Sequence, residues 1–522
     1  MREPGAQQVD GRGIAVAAPN DLAAQAGVGV ARDGGNAVDA AVAAAMTTMV
    51  TEPGLVSLTA GGYVSIQPED GEPVTVDGGV EMPGRGLPPE RFGQGVWEVS
   101  TPYAGGTRMT IGPGSVATPG ALKALETAWR LHGSLPWRRL LEPAVEAAAG
   151  FPHGSASHYY LSYVHEHVFG WHPDSRAAIH TSDGSLVPVG EPVVVPHLAQ
   201  TVARLAEEGA DALYVGELGA LVTRHVTEGG GILTAEDLAA YEAMVRPPLV
   251  VTTGDWQLAT NPPPAAGGVA VAALLALLEG LPGGATWSAE ELEVLARAQA
   301  LVLGAGLAEP DTETGRVRRA DELLDRIRRA GRLALTSPST ATVSAVDNRG
   351  GACAVTVSSG YGSGVTVPGT GLALNNCLGE QELLAGGPHS LRPGTRLSSN
   401  MAPTVGRRAD DGSGIAIGSP GSDRIPTALA QVLALFVAGV DLHTAIAHPR
   451  LHVRVRPDEQ PPVLVDHEED LAVPGDTGLP TRAMPVHSMY FGGVNAALWT
   501  PAIGLVAAGD PRRAGAVAVH SA

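Results

Sequence analysis

The segment from Ala37 to about Met49 carries alanine and valine almost all the way round a helical wheel. A helix without a polar face belongs in an interior. Its start is well marked: Asn36 stands as the cap and Asp39 completes a capping box, while Glu52-Pro53 ends the run. A helix from about Asp21 to Arg32 precedes it, capped by Asn20 and stopped by Gly34-Gly35. Strands are expected next, at Gly61 to Gln67 and Val74 to Asp77. Across the 522 residues the order is helices, strands, helices, then strands. That order suits a layered α+β sandwich better than alternating βαβ units.

Further along, residues 84–115 read as loop, rich in glycine and proline. Helical patterns return at Ala121 to Leu131, Leu140 to Ala149 and His197 to Glu208. Leu249 to Thr253 and Trp256 to Thr260 form a hairpin around Gly254-Asp255, and a long apolar helix runs to Leu278. Between about 308 and 339 the composition changes: Arg316, Arg318, Arg319, Arg326, Arg328, Arg329 and Arg332 crowd among acidic residues, as in a solvated helix plus linker. After Pro338 the texture turns to β, with alternation over Thr340 to Asp347 and Ala352 to Ser358. Pro426 to Val440 reads as a buried helix, and Gly492 to Val519 as two more strands around Asp510-Pro511-Arg512-Arg513.

The net charge of −20 argues against a nucleic-acid partner, which would select a basic face. Two cysteines, Cys353 and Cys377, make no disulfide framework and are expected as buried thiols. No Cys/His set has metal-ligand spacing. His158, His165 and His167 fall in a loop-like stretch and read as surface histidines, so no metal or organic cofactor is expected. The opening MREPGAQQVDGRG has no apolar core of a signal peptide. The apolar runs Val269 to Leu278 and Ala428 to Val440 are too short or too interrupted to span a membrane, and a cytoplasmic location is expected.

Familiar catalytic motifs are weak. Gly360-Tyr-Gly-Ser-Gly follows a strand but precedes another, so no helix N-terminus faces a phosphate. Gly418-Ser419-Pro420-Gly421 lacks the frame of a nucleophile elbow. The remaining candidate is the Ser339-Thr340 step, between a charged linker and a buried strand. A cut there would make Thr340 a new N-terminus, whose hydroxyl is a nucleophile and whose own α-amine is a base. The pKa of such an amine is about 7.7–8.0, close to working pH.

Ordered blocks along the whole chain resemble the gamma-glutamyltransferase family. They are Ala26-Gly27, Gly34-Gly-Asn-Ala-Val-Asp-Ala-Ala-Val-Ala-Ala, Thr51-Glu-Pro, Pro262-Pro-Pro with Gly267-Gly268, and Thr340-Ala-Thr-Val-Ser-Ala-Val-Asp. Then come Gly362 to Asn376, Leu397-Ser-Ser-Asn-Met-Ala-Pro-Thr, Gly418-Ser-Pro-Gly-Ser-Asp-Arg-Ile, Gly492-Gly493-Val494 and Asp510-Pro-Arg-Arg. The resemblance implies a four-layer αββα Ntn-hydrolase sandwich and a precursor that cleaves itself. Residues 1–339 would form the large subunit and 340–522 the small one, held together after cleavage. It implies a small-molecule amide or peptide substrate, and an acyl intermediate on Thr340.

By position the resemblance makes Ser358 the hydroxyl that orients the nucleophile. Gly421 and Ser422 become the oxyanion-hole pair, Ser398 and Ser399 the substrate-carboxylate serines, and Glu380 the holder of the substrate amino group. The family's carboxylate-gripping Arg, in an R-E-x-A-P element, has no counterpart in Asp77-Gly-Gly-Val-Glu-Met-Pro. Its loss removes a bidentate clamp, for which Arg85 and Arg396 are the nearby replacements. Cys377 stands where the family often has Gln, and Ala341-Thr342 replaces the usual pair after the nucleophile. Gamma-glutamyl or related acyl amides are therefore the leading substrates. The alternatives are an amidase, acylase or biosynthetic acyltransferase or cyclase with a non-glutamyl substrate, and an uncleaved, non-catalytic relative.

Overall fold

A computed structural model of the chain describes residues 11–102, 106–305, 307, 312–329, 340–380, 384, 386–455, 460–473 and 479–521, without the side chains of 326–329. Two antiparallel sheets lie at its centre. The first has seven strands, in the order Ala516–His520, Ile14–Ala18, Ala341–Asp347, Ala352–Ser358, Gly61–Gln67, Val74–Gly78 and Met244–Arg246. The second has six, in the order Gly504–Ala508, Asn495–Thr500, Gly414–Gly418, Thr404–Arg408, Trp256–Thr260 and Leu249–Thr253. Each sheet draws strands from both sides of residue 340.

Between the sheets lies a core of small side chains: Ala15, Ala17, Ala352, Ala354, Ala416, Ala497 and Ala507, with Val346 and Val405. The outer face of the first sheet is covered by helices that include Asp21–Gly29, Ala37–Thr51 and Trp137–Ala147. Ala266–Leu277, Ala289–Leu303 and Arg424–Val437 cover the outer face of the second. The result is a four-layer αββα sandwich. Every residue of Ala37–Thr51 is buried, as its missing polar face requires. Its capping box is formed, and the Asp39 carboxylate also accepts from the Ser134 backbone N–H at 3.0 Å.

Several sequence expectations need correction. Residues 84–115 are not all loop: Trp97–Thr101 and Thr107–Ile111 pair as a hairpin whose pattern the surrounding glycines obscure. His158 lies on the helix Ser155–Val164, and His165 and His167 on the π-turn His165–Phe169. There His165 Nδ1 meets His180 Nε2 at 2.8 Å. The tail holds three strands, not two, because Asp510 to Arg513 separates Gly504–Ala508 from Ala516–His520.

The arginine-rich stretch is not simply solvated. Glu313–Arg329 is a helix that sends Ala320 and Leu323 into the core beside Ala266–Leu277, and Arg316 is buried and donates to the Arg396 carbonyl. Ser339 and the rest of 330–339 lie outside the described residues. Both cysteines are buried free thiols. No helix among the described residues is long and apolar enough to cross a membrane.

Candidate active site

The strand Ala341–Asp347 pairs with Ala352–Ser358 so that Val346 faces Ala352, Ser344 faces Ala354 and Thr342 faces Thr356. These side chains point between the sheets, while Ala341, Val343 and Ala345 point out into the helical layer. One more step along the register sets Thr340 opposite Ser358. The hydroxyls become denser in that direction. Ser344 Oγ donates to the Asn495 carbonyl at 2.9 Å, and Thr342 Oγ1 donates to the Val355 carbonyl at 3.0 Å and lies 3.2 Å from Thr356 Oγ1. The strand then opens on a cavity of about 450 Å³, counting the part open to solvent, with Thr340 and Ser358 on its wall. Thr340 is only 2% exposed, and Ser358 Oγ accepts from the Gly360 N–H at 3.2 Å.

A second wall is Ser398-Ser399-Asn400. The Ser399 carbonyl accepts the N–H groups of Ala266 at 2.9 Å and Gly267 at 3.0 Å, satisfying donors at the start of the helix Ala266–Leu277. The approach is so close that a Cβ on Gly267 would lie 2.1 Å from the Asn400 carbonyl oxygen, and one on Gly268 2.1 Å from that of Asn261. This is the work of the Gly267-Gly268 pair. Ser398 Oγ and Asn400 Nδ2 are buried with no hydrogen-bond partner among the described residues. A lone buried polar atom costs about 1–3 kcal/mol, which a ligand can recover. Asn400, inside the block that contains both serines, is a wall residue to which sequence reasoning gave no role.

Glu380 and Cys377 form the third wall. Burial, and then the neighbouring Glu380 carboxylate, hold the Cys377 thiol far above its ordinary pKa, so it stays protonated and is no nucleophile. The segment is fixed by two asparagines. Asn376 accepts from the Tyr361 N–H at 2.6 Å, and Asn375 donates to the carbonyls of Thr59 at 2.9 Å and Ala117 at 3.0 Å.

Gly421 and Ser422 do not line the cavity. They form the turn between the strand Gly414–Gly418 and the helix Arg424–Val437, which sends Ile425 onto the wall. Gly421 has φ +118° and Ser422 φ +76°. For a serine that left-handed backbone costs about 1–3 kcal/mol and persists only where its surroundings impose it. The imposition is visible. The Gly493 N–H donates to Ser419 Oγ at 3.3 Å, and Arg424 Nε donates to the Tyr490 carbonyl at 3.0 Å.

Arg85 and Arg396 do not line the cavity either. Arg396 is buried behind it: Nη1 donates to Asp77 Oδ1 and to the Asp77 carbonyl, both at 2.8 Å, and Nε donates to Glu81 Oε1 at 3.3 Å. Its guanidinium also stacks over Tyr241, 4.8 Å from the ring centre. Arg85 contacts Glu81 Oε2 at 3.2 Å and Asp237 Oδ1 at 3.4 Å. Burial raises the Glu81 carboxyl above its ordinary range, against the pull of Arg396 and Arg85. Among the described wall residues Glu380 is the single charged side chain.

The comparisons with known proteins fit this architecture. Residues 23–520 match the family model of gamma-glutamyltranspeptidase. The chain belongs to the gamma-glutamyltranspeptidase family. It is similar to the glutathione hydrolase proenzyme of Escherichia coli (strain K12), 27% identical over 480 residues that cover 85% of this chain and 81% of that protein. It is also similar to the acylase ACY 1 proenzyme of Pseudomonas sp. (strain SE83), 29% identical over 460 residues, 82% of this chain and 80% of that one. In fold it resembles cephalosporin acylase from Bacillus halodurans, with a TM-score of 0.78 at 23% identity over 99% of this chain and 98% of that one. The αββα sandwich is thus the Ntn-hydrolase fold of the gamma-glutamyltranspeptidase family. As a member, the chain is an enzyme of the hydrolase and acyltransferase class.

Proposed function

We propose that this family member is a self-processing amidohydrolase or acyltransferase that uses Thr340 as its N-terminal nucleophile. The observation that carries the reading is the place of Thr340: the residue before a fully buried strand, on the wall of the cavity, across from the Ser358 hydroxyl. In the precursor the Thr340 hydroxyl attacks the Ser339 carbonyl. The peptide rearranges to an ester as the nitrogen leaves, and water hydrolyses the ester. This frees a carboxylate at Ser339 and an α-amine at Thr340. Because both sheets contain strands from 1–339 and from 340–522, the two pieces stay interlocked.

In turnover the hydroxyl attacks the acyl carbon of a substrate amide and passes its proton to the Thr340 α-amine. The resemblance assigns the developing oxyanion to the N–H groups of Gly421 and Ser422, which lie on the turn that leads to the wall residue Ile425 rather than on the wall itself; such a donor is worth about 3–4 kcal/mol. The α-amine returns the proton to the departing amine, leaving an ester on Thr340. Water or an acceptor amine then releases the acyl group. Ser358 orients the nucleophile, while Ser398, Ser399 and Glu380 hold the acyl part of a gamma-glutamyl or related donor.

The test is intact mass spectrometry of freshly purified protein beside a Thr340→Ala variant. The expected result is two fragments meeting at Ser339/Thr340 in the wild type and one full-length mass in the variant. A single full-length mass in both, after long incubation at neutral pH, overturns the mechanism and leaves an uncleaved, non-catalytic relative.

A further inference from the structure

We infer that the protein has a second ligand site, a cavity at Glu52 that takes a small primary ammonium ion. It shares no wall residue with the cavity at Thr340, so it stands or falls independently of the nucleophile. Its walls come from the starts of the helices Asp21–Gly29 and Ser155–Val164 and the end of Ala37–Thr51, around a space of about 650 Å³ counting the part open to solvent. Glu52 caps Ala37–Thr51 at its C-terminal, negative end, which favours a cation. The start of Asp21–Gly29 is already capped, because Asn20 Oδ1 accepts from the Ala23 N–H at 3.0 Å. Glu52 is 1% exposed, and its two oxygens differ. Oε1 accepts from Asn20 Nδ2 at 2.6 Å, while Oε2 is buried and accepts no hydrogen bond. A buried carboxylate satisfied on one side only is costly, and a donor on the other side recovers that cost.

The charged groups around Glu52 leave that place open. Arg513 is the cation whose charge reaches it, but Nε donates to the Gly492 carbonyl at 3.3 Å and Nη2 to the Met489 carbonyl at 3.5 Å. His153 Nδ1 donates to the Val187 carbonyl at 2.6 Å, and burial lowers its pKa, so the imidazole on the wall is neutral. Asp21, exposed, adds a second carboxylate to the wall. Burial raises the Glu52 carboxyl to about 7, against the pull of Asn20 and Arg513. The class of cation follows from the oxygen count. A guanidinium gains its strength from two parallel bonds to one carboxylate, and Asn20 has taken one of the oxygens. A calcium ion gathers about six to eight oxygens. An ammonium needs one charged acceptor and can turn its other N–H groups to Asp21 or to water. Gly154 is the wall residue over the carboxylate. Its φ of −69° and ψ of 145° suit any residue, and a Cβ there would lie 3.5 Å from Oε1 and 4.0 Å from Oε2, in ordinary van der Waals contact.

The test is calorimetric titration of the full chain with ethylammonium chloride at constant ionic strength. Tetramethylammonium chloride, whose cation has no N–H, is the control. Expected is saturable binding of ethylammonium to the wild type. Binding should be at least about tenfold weaker in Gly154→Ala, whose methyl group covers the carboxylate, and in Glu52→Gln, which removes its charge. Wild-type affinity should rise about fourfold between about pH 6.5 and 8.5, because the ammonium stays charged while Glu52 ionises through about 7. If Glu52→Gln fails to fold, Gly154→Ala decides, since it leaves every bond of Glu52 in place. No saturable binding, tetramethylammonium binding as tightly as ethylammonium, or wild-type affinity in a folded Gly154→Ala overturns the inference.

Discussion

The inner face of the strand Ala341–Asp347 has two ends built from different chemistry. At the far end Val346 faces Ala352, and Ala15, Ala17, Ala416, Ala497 and Ala507 fill the space between the sheets with methyl groups. At the near end Thr342 faces Thr356 and Thr340 follows, beside the cavity. Both ends are buried, and the same two sheets enclose them. The far end has only volume to satisfy. The near end must satisfy volume and every hydroxyl at once, because a lone buried donor is costly. A site grown at the end of such a strand therefore inherits a rigid floor.

The largest expected effect is at the near end. Thr340→Ala should lower turnover of any cleavable acyl amide by at least ~10³-fold, since nothing else on the wall replaces a hydroxyl with its own α-amine. Residual activity within tenfold of wild type in a steady-state assay would place the chemistry elsewhere. Next comes Gly418, where a Cβ would lie 2.0 Å from Thr342 Oγ1 and 3.2 Å from Thr356 Oγ1. Gly418→Ala should cost about 3 kcal/mol, read as a lowered denaturant midpoint at unchanged m-value. A cost under about 1 kcal/mol would mean that the near end is no tighter than an ordinary core. At the far end Ala416→Val adds two methyl groups to a space that asks only for volume, and about 1–2 kcal/mol is expected. A larger loss there than at Gly418 would reverse the comparison.

Legibility in the sequence followed how local each determinant was. The helix Ala37–Thr51 was readable because cap, box and stop all lie within the segment, and the hairpin Leu249–Thr253 with Trp256–Thr260 because Gly254-Asp255 marks its turn. Ile14–Ala18 was not, since a short strand buried on both faces has no alternation to detect. The same holds at the site. Thr340, Ser358, Glu380, Ser398 and Ser399 came from ordered blocks that resemble a family, and they line one cavity. Arg396 stood beside the two serines in the sequence and looked free to serve the substrate. Its commitment to Asp77, 319 residues away, is a fact of tertiary structure that no local pattern carries. The burial of Arg316 under the Arg396 carbonyl is hidden in the same way.

The smallest effect sharpens the comparison most. Thr342→Val keeps the shape of the side chain but removes its bond to the Val355 carbonyl and its 3.2 Å contact with Thr356 Oγ1. The single variant should cost about 1–2 kcal/mol, because the Thr356 hydroxyl is left without that neighbour in a space sealed from water. Thr356→Val should cost less, because Thr342 Oγ1 keeps its bond to the Val355 carbonyl. The double variant removes both hydroxyls and leaves two matched methyl surfaces, converting the near end into the chemistry of the far end. Its cost should fall clearly below the sum of the singles, by about 1 kcal/mol in a double-mutant cycle. Strict additivity would show that the two hydroxyls do not depend on each other, and that the near end, like the far one, is specified by volume alone.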